Sequence, residues 1–327
     1  MLKKYLIIAF CFAILSVLIS SWLVPVKHTQ KPALQTIIID AGHGLPDPGA
    51  QGEYSNESDL TLAIALRLGK KLEAALPDCK IIYTRTDRYL PNNMDDKDLA
   101  NRYRAKMANE NHGDLFVAIH VNDAQHPYSK KITGYRKEKY YTYTGKGSSK
   151  KKVAKTRTVP IVKYYKLPGI VKGTETYIWA SDRNEAKQKF VKDNEQEMYG
   201  EKVDSTFQYF ESPEAKILAS LRTQKYFANS KMVADFIQEE FEKAGRVNLG
   251  VKQRDWEGIW VLQATAMPSI LVETGFICTP SEENYLNSEI GQEEISDCVL
   301  RAILKYKIKL ETLSTDPQAS ADKNGNK

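Results

Sequence analysis

Cysteine and histidine are scarce in this chain of 327 residues, with four of the first and five of the second. Cys11 lies in an apolar N-terminal run, and Cys79, Cys278 and Cys298 are widely spaced. This spacing excludes a disulfide framework and a cysteine zinc knuckle, so any metal is expected on histidine and carboxylate. No HExxH pair is present, which removes that signature of zinc peptidases. No internal repeat marks a second binding module. Acids are in slight deficit, 41 against 47 Lys and Arg, for a formal charge of +6. That balance suits an anionic polymer without choosing among nucleic acid, membrane and cell-surface material.

The two ends of the chain differ in kind. Lys3 and Lys4 precede an uncharged apolar run from Tyr5 to Val26, the layout of an export signal. The run is close to the ~20 residues of a membrane-spanning helix, and no small-x-small cleavage site follows it. An uncleaved signal anchor is favoured over a cleaved signal peptide for residues 1–27, with 28–33 as linker. Phe10 is too bulky to precede a lipidated cysteine, so Cys11 reads as apolar filler. At the far end, residues 311–327 are expected to be a disordered tail, since "STDPQASADKNGNK" lacks aromatic residues and apolar period.

Strand and helix patterns alternate between these ends. "TIIID" from Thr36 reads as a buried strand, followed by Ile64, Leu68, Leu72 and Leu76 at helical spacing up to Pro77. "KIIYTR", "DLFVAIHVN" and "SILVET" read as further strands and "LANRYRAKMANE" as a helix. Another helix opens at Pro213, with Ser212 as its cap and an apolar stripe through Met232, Val233, Phe236, Ile237 and Phe241. The expectation is one α/β domain over residues 34–310, with a mixed, largely parallel central sheet flanked by helices, plus two insertions.

Ligands of such sheets sit at the carboxyl ends of the strands. There "TIIID" leads into "AGHG" with His43, "LFVAIH" ends on His120, and "SILVE" ends on Glu273. Glu57 heads the first helix, where a carboxylate is favoured by the helix dipole. Taken singly, His43 is an ordinary turn residue and His120 a core histidine; together with the two acids they form a convergent polar site. Asp40 and Asn122 either orient the histidines or satisfy strand-end backbone groups. His28, His112 and His126 read as linker, turn and loop residues and are not assigned to a metal. Arg85, Arg102 and Asn109 read as packing and ion-pairing groups.

In order, "IIIDAGHGLPDPGA", Glu57 before "DLTLAIAL", "YTRTD", "ANRYRAKMAN", "DLFVAIHVN", "GTETY", "GVKQ" and "VLQATAMPSILVETGFI" resemble the zinc-dependent N-acetylmuramoyl-L-alanine amidases. The resemblance implies that His43, Glu57 and His120 hold one Zn2+ and that Glu273 is the catalytic glutamate. It implies hydrolysis of the amide between N-acetylmuramic acid and L-alanine in peptidoglycan or its muropeptide fragments. With the export segment, it implies an enzyme of the periplasm or cell envelope, anchored in the inner membrane if the segment is uncleaved. Two other readings stay open: a catalytically idle binding or activating protein of the same fold, and a zinc peptidase acting on another amide.

The chain departs from the shortest members of that family at about residues 125–172 and 183–210. The first stretch has one acid, Glu138, among many basic residues, and its Tyr- and Thr-rich runs around "GKGSS" predict a hairpin or an excursion of the sheet. The second is strongly charged and is expected to be partly helical. Each is expected to follow a strand whose end flanks the site. Both read either as solvated extensions or as a lid or docking surface for a protein activator or regulator. Export argues against nucleic acid as a partner and favours anionic glycan or stem-peptide carboxylates.

Overall fold

The computed structural model describes residues 33–180, 185, 187–192, 213–254 and 259–315. The expected export segment, most of the second insertion, Ser212 and the tail beyond Thr315 lie outside the described residues. Among the described residues, no helix is long and apolar enough to cross a membrane.

The compact unit begins at Leu34. Its strands are β1 (Thr36–Ala41), β2 (Lys80–Tyr83), β3 (Leu115–Asn122), β4 (Tyr128–Thr144), β5 (Lys151–Lys166), β6 (Thr174–Ile178), β7 (Asn248–Gln253) and β8 (Ser269–Phe276). Its helices are α1 (Glu57–Ala75), α2 (Lys97–Glu110), α3 (Pro213–Lys243), α4 (Trp260–Ala264), α5 (Pro280–Asn287) and α6 (Glu289–Thr315). Six strands form one sheet in the order β2-β1-β3-β8-β6-β7. The first four are parallel, whereas β6 is antiparallel to β8 and parallel to β7.

Alternation along the strands divides the core. Ile37, Ile39, Val117, Ile119, Ile270 and Val272 meet apolar residues of α1, α3 and α6 on one face. Ile38, Phe116, Ala118 and Leu271 meet α2 and α4 on the other. Each such buried Ile or Leu side chain contributes about 1.5–3 kcal/mol. Helix α1 starts at Glu57 because the Asn56 side chain accepts from the Asp59 amide and caps it. Helix α6 runs past Leu310, where the sequence pattern ended the domain, to Thr315; a Lys307–Glu311 pair one turn apart supports the extension.

The first insertion is a hairpin, β4 against β5, forming its own two-stranded sheet. It leaves from the carboxyl end of β3 and returns there, so the chain re-enters the sheet from that end and β6 must run opposite to β3. This places the start of β6 beside the carboxyl ends of the parallel strands. It also corrects one expectation: the second insertion follows the far end of β6, away from those strand ends. Of its described residues, Lys187 is fully buried and donates to Leu262 O at 2.6 Å and to Thr265 and Ser269 hydroxyls at 3.1 Å.

Candidate active site

Register brings the predicted residues together. His120 on β3 pairs with Glu273 on β8, and Glu273 pairs with Glu175 on β6, so the three form one row on a single face of the sheet. Glu57 reaches the row from the first turn of α1, and His43 from the loop after β1. Its carboxylate stands between the two imidazoles: His43 Nε2 lies 3.1 Å from Oε2, and His120 Nδ1 lies 2.9 Å from Oε1. The rings of His43 and His120 are edge to face, with centroids 5.0 Å apart.

The backbone is shaped around these groups. His43 adopts φ 60, a conformation that costs an L-residue energy and is held here by its surroundings. A Cβ on Gly42 would lie 2.4 Å from His120 Nε2, and one on Gly49, at φ +68, would lie 2.6 Å from Glu57 Oε2. Only glycine lets the loop close on the site at these two positions. Amides of Ala50 and Val121 donate to Glu57 at 2.9 and 3.0 Å.

Electrostatics separate the acids. Burial opposes ionisation of Glu57, but hydrogen bonds with His120 and His43 outweigh it and hold its carboxyl well below the usual range. Burial also opposes charge on His43, yet Asp47 and Glu57 raise it to about 9. Glu273 goes the other way. Burial, then the charges of Glu57 and Glu175, push its carboxyl well above the ordinary range. It is 7% exposed, and its buried Oε2 has no hydrogen-bond partner.

Two imidazoles and an ionised carboxylate, with one donor atom from each within 4.8 Å of the others, suit a divalent cation of the zinc type. Such an ion replaces the protons that the histidines otherwise share with Glu57. The cluster opens into a cavity of about 470 Å³ lined also by Glu273, Arg254 and Trp260. A reactant carbonyl and a water therefore have room beside the three donors and Glu273.

Several contributors were missed in the sequence. Asp47 accepts from His43 Nδ1 at 2.8 Å, which fixes the ring and directs Nε2 to the cluster. Arg104, fully buried, pairs with Asp40 and donates to His43 O at 2.6 Å. Asp40 thus acts on the histidine loop through Arg104, and Asn122 donates to Glu175 at 3.1 Å. The Asp of "GLPDPG" and the second Arg of "ANRYRAKMAN" were the available signals, and only the fold shows which groups they face. Arg85 clamps the carbonyls of Ala41, Gly42 and Ser58, Asn109 ties the loop at Ala264 and Ala266, and Arg102 lies over the Trp260 ring. His112 sits in a turn, as expected.

Known proteins share this architecture. The chain is 27% identical over 274 residues to N-acetylmuramoyl-L-alanine amidase AmiC of Escherichia coli, covering 83% of this chain and 52% of that protein. It is 23% identical over 280 residues to the germination-specific N-acetylmuramoyl-L-alanine amidase of Bacillus subtilis, covering 83% and 78%. The crystal structure of an N-acetylmuramoyl-L-alanine amidase from Clostridium difficile 630 shares the fold, at TM-score 0.50 and 22% identity over 84% of this chain and 97% of that one. Residues 37–305, from the first buried strand through most of the last helix, match the model of one family, and by that match the chain belongs to the N-acetylmuramoyl-L-alanine amidases.

Proposed function

We propose that the protein hydrolyses the amide between N-acetylmuramic acid and the L-alanine of the peptidoglycan stem peptide, with Zn2+ held by His43, Glu57 and His120. The observation that carries this reading is the unpartnered, buried Glu273 Oε2 beside a three-donor cluster. Zinc bound there supplies Lewis acidity, polarising a carbonyl and acidifying a water. Glu273 takes a proton from the attacking water and passes it to the departing alanine nitrogen, so that water and amide become lactyl carboxylate and free amine. Its raised pKa suits this transfer, because a carboxyl pushed above the ordinary range by burial and by the Glu57 and Glu175 charges holds the proton it has taken until the nitrogen accepts it. Asp47 keeps the His43 ring in place, and Arg104 keeps its loop in place.

The reading extends to location and substrate. The N-terminal segment exports the chain and holds it at the cell envelope, where the substrate is peptidoglycan or its fragments. The hairpin, basic and with Tyr135, Tyr143 and Tyr164 exposed, meets anionic wall material or a regulatory protein.

The direct test incubates the full-length chain with purified peptidoglycan, with and without a zinc chelator. Free stem peptides with a new N-terminal alanine, lost with chelator and restored by zinc, are the outcome this reading requires. Zinc-loaded protein that releases none counts against it and favours the idle binding protein.

A further inference from the structure

The hairpin of β4 and β5 is exposed along nearly its whole length on both strands. A two-stranded ribbon of this kind has little stability of its own. Its attachment to the body lies at its foot, where Asp123 and His126 lead in and Leu167 to Gly169 lead out. There the chain meets Cys278, in the turn between β8 and α5. Gly169 N donates to Cys278 O at 2.8 Å, and a Cβ on Gly169 would stand 2.7 Å from the Cys278 sulfur.

Three donors converge at this foot, outside the catalytic cluster. One donor atom each from Asp123, His126 and Cys278 lies within 4.8 Å of the others. His126 Nδ1 lies 3.0 Å from Leu167 O, an acceptor only, so Nδ1 carries the proton and the lone pair of the neutral ring is on Nε2. That Nε2 is buried and has no hydrogen-bond partner, although Asp123 Oδ1 stands 3.7 Å away. Two metal bonds of about 2.0–2.1 Å at a tetrahedral angle set their donors about 3.4 Å apart. The observed separation is close to that spacing and too long for a hydrogen bond. The amide of Ala124 donates to Cys278 Sγ at 3.4 Å, but burial outweighs it and, with Asp123, raises the thiol, so a bound cation has to displace the thiol proton. A cavity of about 280 Å³, lined by His126, Cys278, Glu283 and Lys166, opens beside two of the three donors.

We propose that Asp123, His126 and Cys278 form a second metal site, which takes a thiolate-accepting divalent cation of the zinc class and fastens the foot of the hairpin to the turn after β8. The ion satisfies the orphaned His126 nitrogen, draws the Cys278 sulfur and the Asp123 carboxylate together, and leaves one coordination position to the cavity. His126, a plain loop residue by sequence, is a ligand in this reading. The site shares no donor with His43, Glu57 and His120 and does not depend on the reaction they support.

Cobalt(II) titration of the metal-free full-length chain tests the proposal, since only a thiolate ligand gives an intense sulfur-to-cobalt charge-transfer band in the near ultraviolet and the catalytic cluster contains no sulfur. The expected result is two cobalt ions per chain with the band present. Cys278→Ser removes the band and one equivalent, while Cys79→Ser and Cys298→Ser keep both. His126→Gln, whose fold is checked by circular dichroism, weakens cobalt uptake at this site at least tenfold. Zinc slows tryptic cleavage within residues 123–172 in the parent and not in Cys278→Ser. A single ion per chain without the band overturns the site, as does a band that survives Cys278→Ser. Failure of the amidase reading looks different, because the thiolate band then persists while stem-peptide release is missing.

Discussion

Glu273 and Glu175 stand opposite one another in register on the antiparallel strands β8 and β6, yet only Glu175 is well supplied with partners. Lys252, Tyr177 and Asn122 all hold the Glu175 carboxylate. Glu273 keeps a buried oxygen without one. Adjacent acids in such different surroundings divide the work: a fixed charge on one strand raises the proton affinity of the acid on the next.

Glu273→Gln removes the proposed proton carrier and leaves the three proposed metal donors in place. Turnover is expected to fall by about 10²–10⁴-fold, the usual size of a general acid-base contribution. The bound metal, counted by elemental analysis, stays at the parent level. A variant with full metal and full turnover would falsify the role.

The pH profile follows from the raised Glu273 carboxyl. Accepting a proton requires the carboxylate, so kcat/KM falls as pH drops through its pKa, and the acid limb lies above the ordinary value of about 4.3. Glu175→Gln removes one of the charges that raise it. The acid limb then moves to lower pH while the alkaline limb stays; an unmoved acid limb shows that the two acids are not coupled.

Asp47→Asn weakens the hold on the His43 ring without removing a donor. Changes of this kind cost about 10–100-fold in metal affinity or activity. The variant is expected to lose activity at limiting zinc and recover it in excess zinc, which separates a positioning effect from a lost ligand. Competition with a fluorescent chelator reads the affinity directly.

Arg104→Met leaves Asp40 buried without its cation. Breaking a buried pair from one side costs about 3–5 kcal/mol, which chemical denaturation detects. If stability is unchanged, the pair does not hold the His43 loop as described.

Glu283, buried on α5, accepts from the amides of Glu53, Tyr54 and Ser55 and from the Ser55 hydroxyl at 2.8–3.0 Å. It thereby positions the loop that leads into Glu57. Burial opposes its ionisation, but these bonds outweigh burial and lower its carboxyl. A lowered folded-state value gives stability that is present above the unfolded value of about 4.3 and lost as pH falls through the folded one. Glu283→Gln should therefore be less stable than the parent by about 1–3 kcal/mol at neutral pH. Denaturation at several pH values should show the gap shrinking below pH ~4.

The amino-acid sequence by itself determined the strand and helix pattern, the placement of His43, His120 and Glu273 toward the carboxyl ends of sheet strands, and the family, although β3 and β8 run on past His120 and Glu273 to Asn122 and Phe276. Those follow from local periodicity, glycine-flanked loops and an ordered run of motifs, all of which are properties of neighbours along the chain. Tertiary structure decided the direction of β6, because a hairpin that returns to its own starting end reverses the next strand, and no local pattern records where a hairpin returns. From that reversal come the pairing of Glu175 with Glu273, the rise it gives the Glu273 carboxyl, and the departure of the second insertion from the far end of β6. Arg104 and Asp47 were invisible for a related reason. A charged residue in a helix or turn has an ordinary solvated role until folding buries it against one particular partner, as Arg104 is buried against Asp40. The joining of Asp123, His126 and Cys278 spans more than 150 residues of chain, as the Ala124–Cys278 contact does, so sequence spacing could not report it.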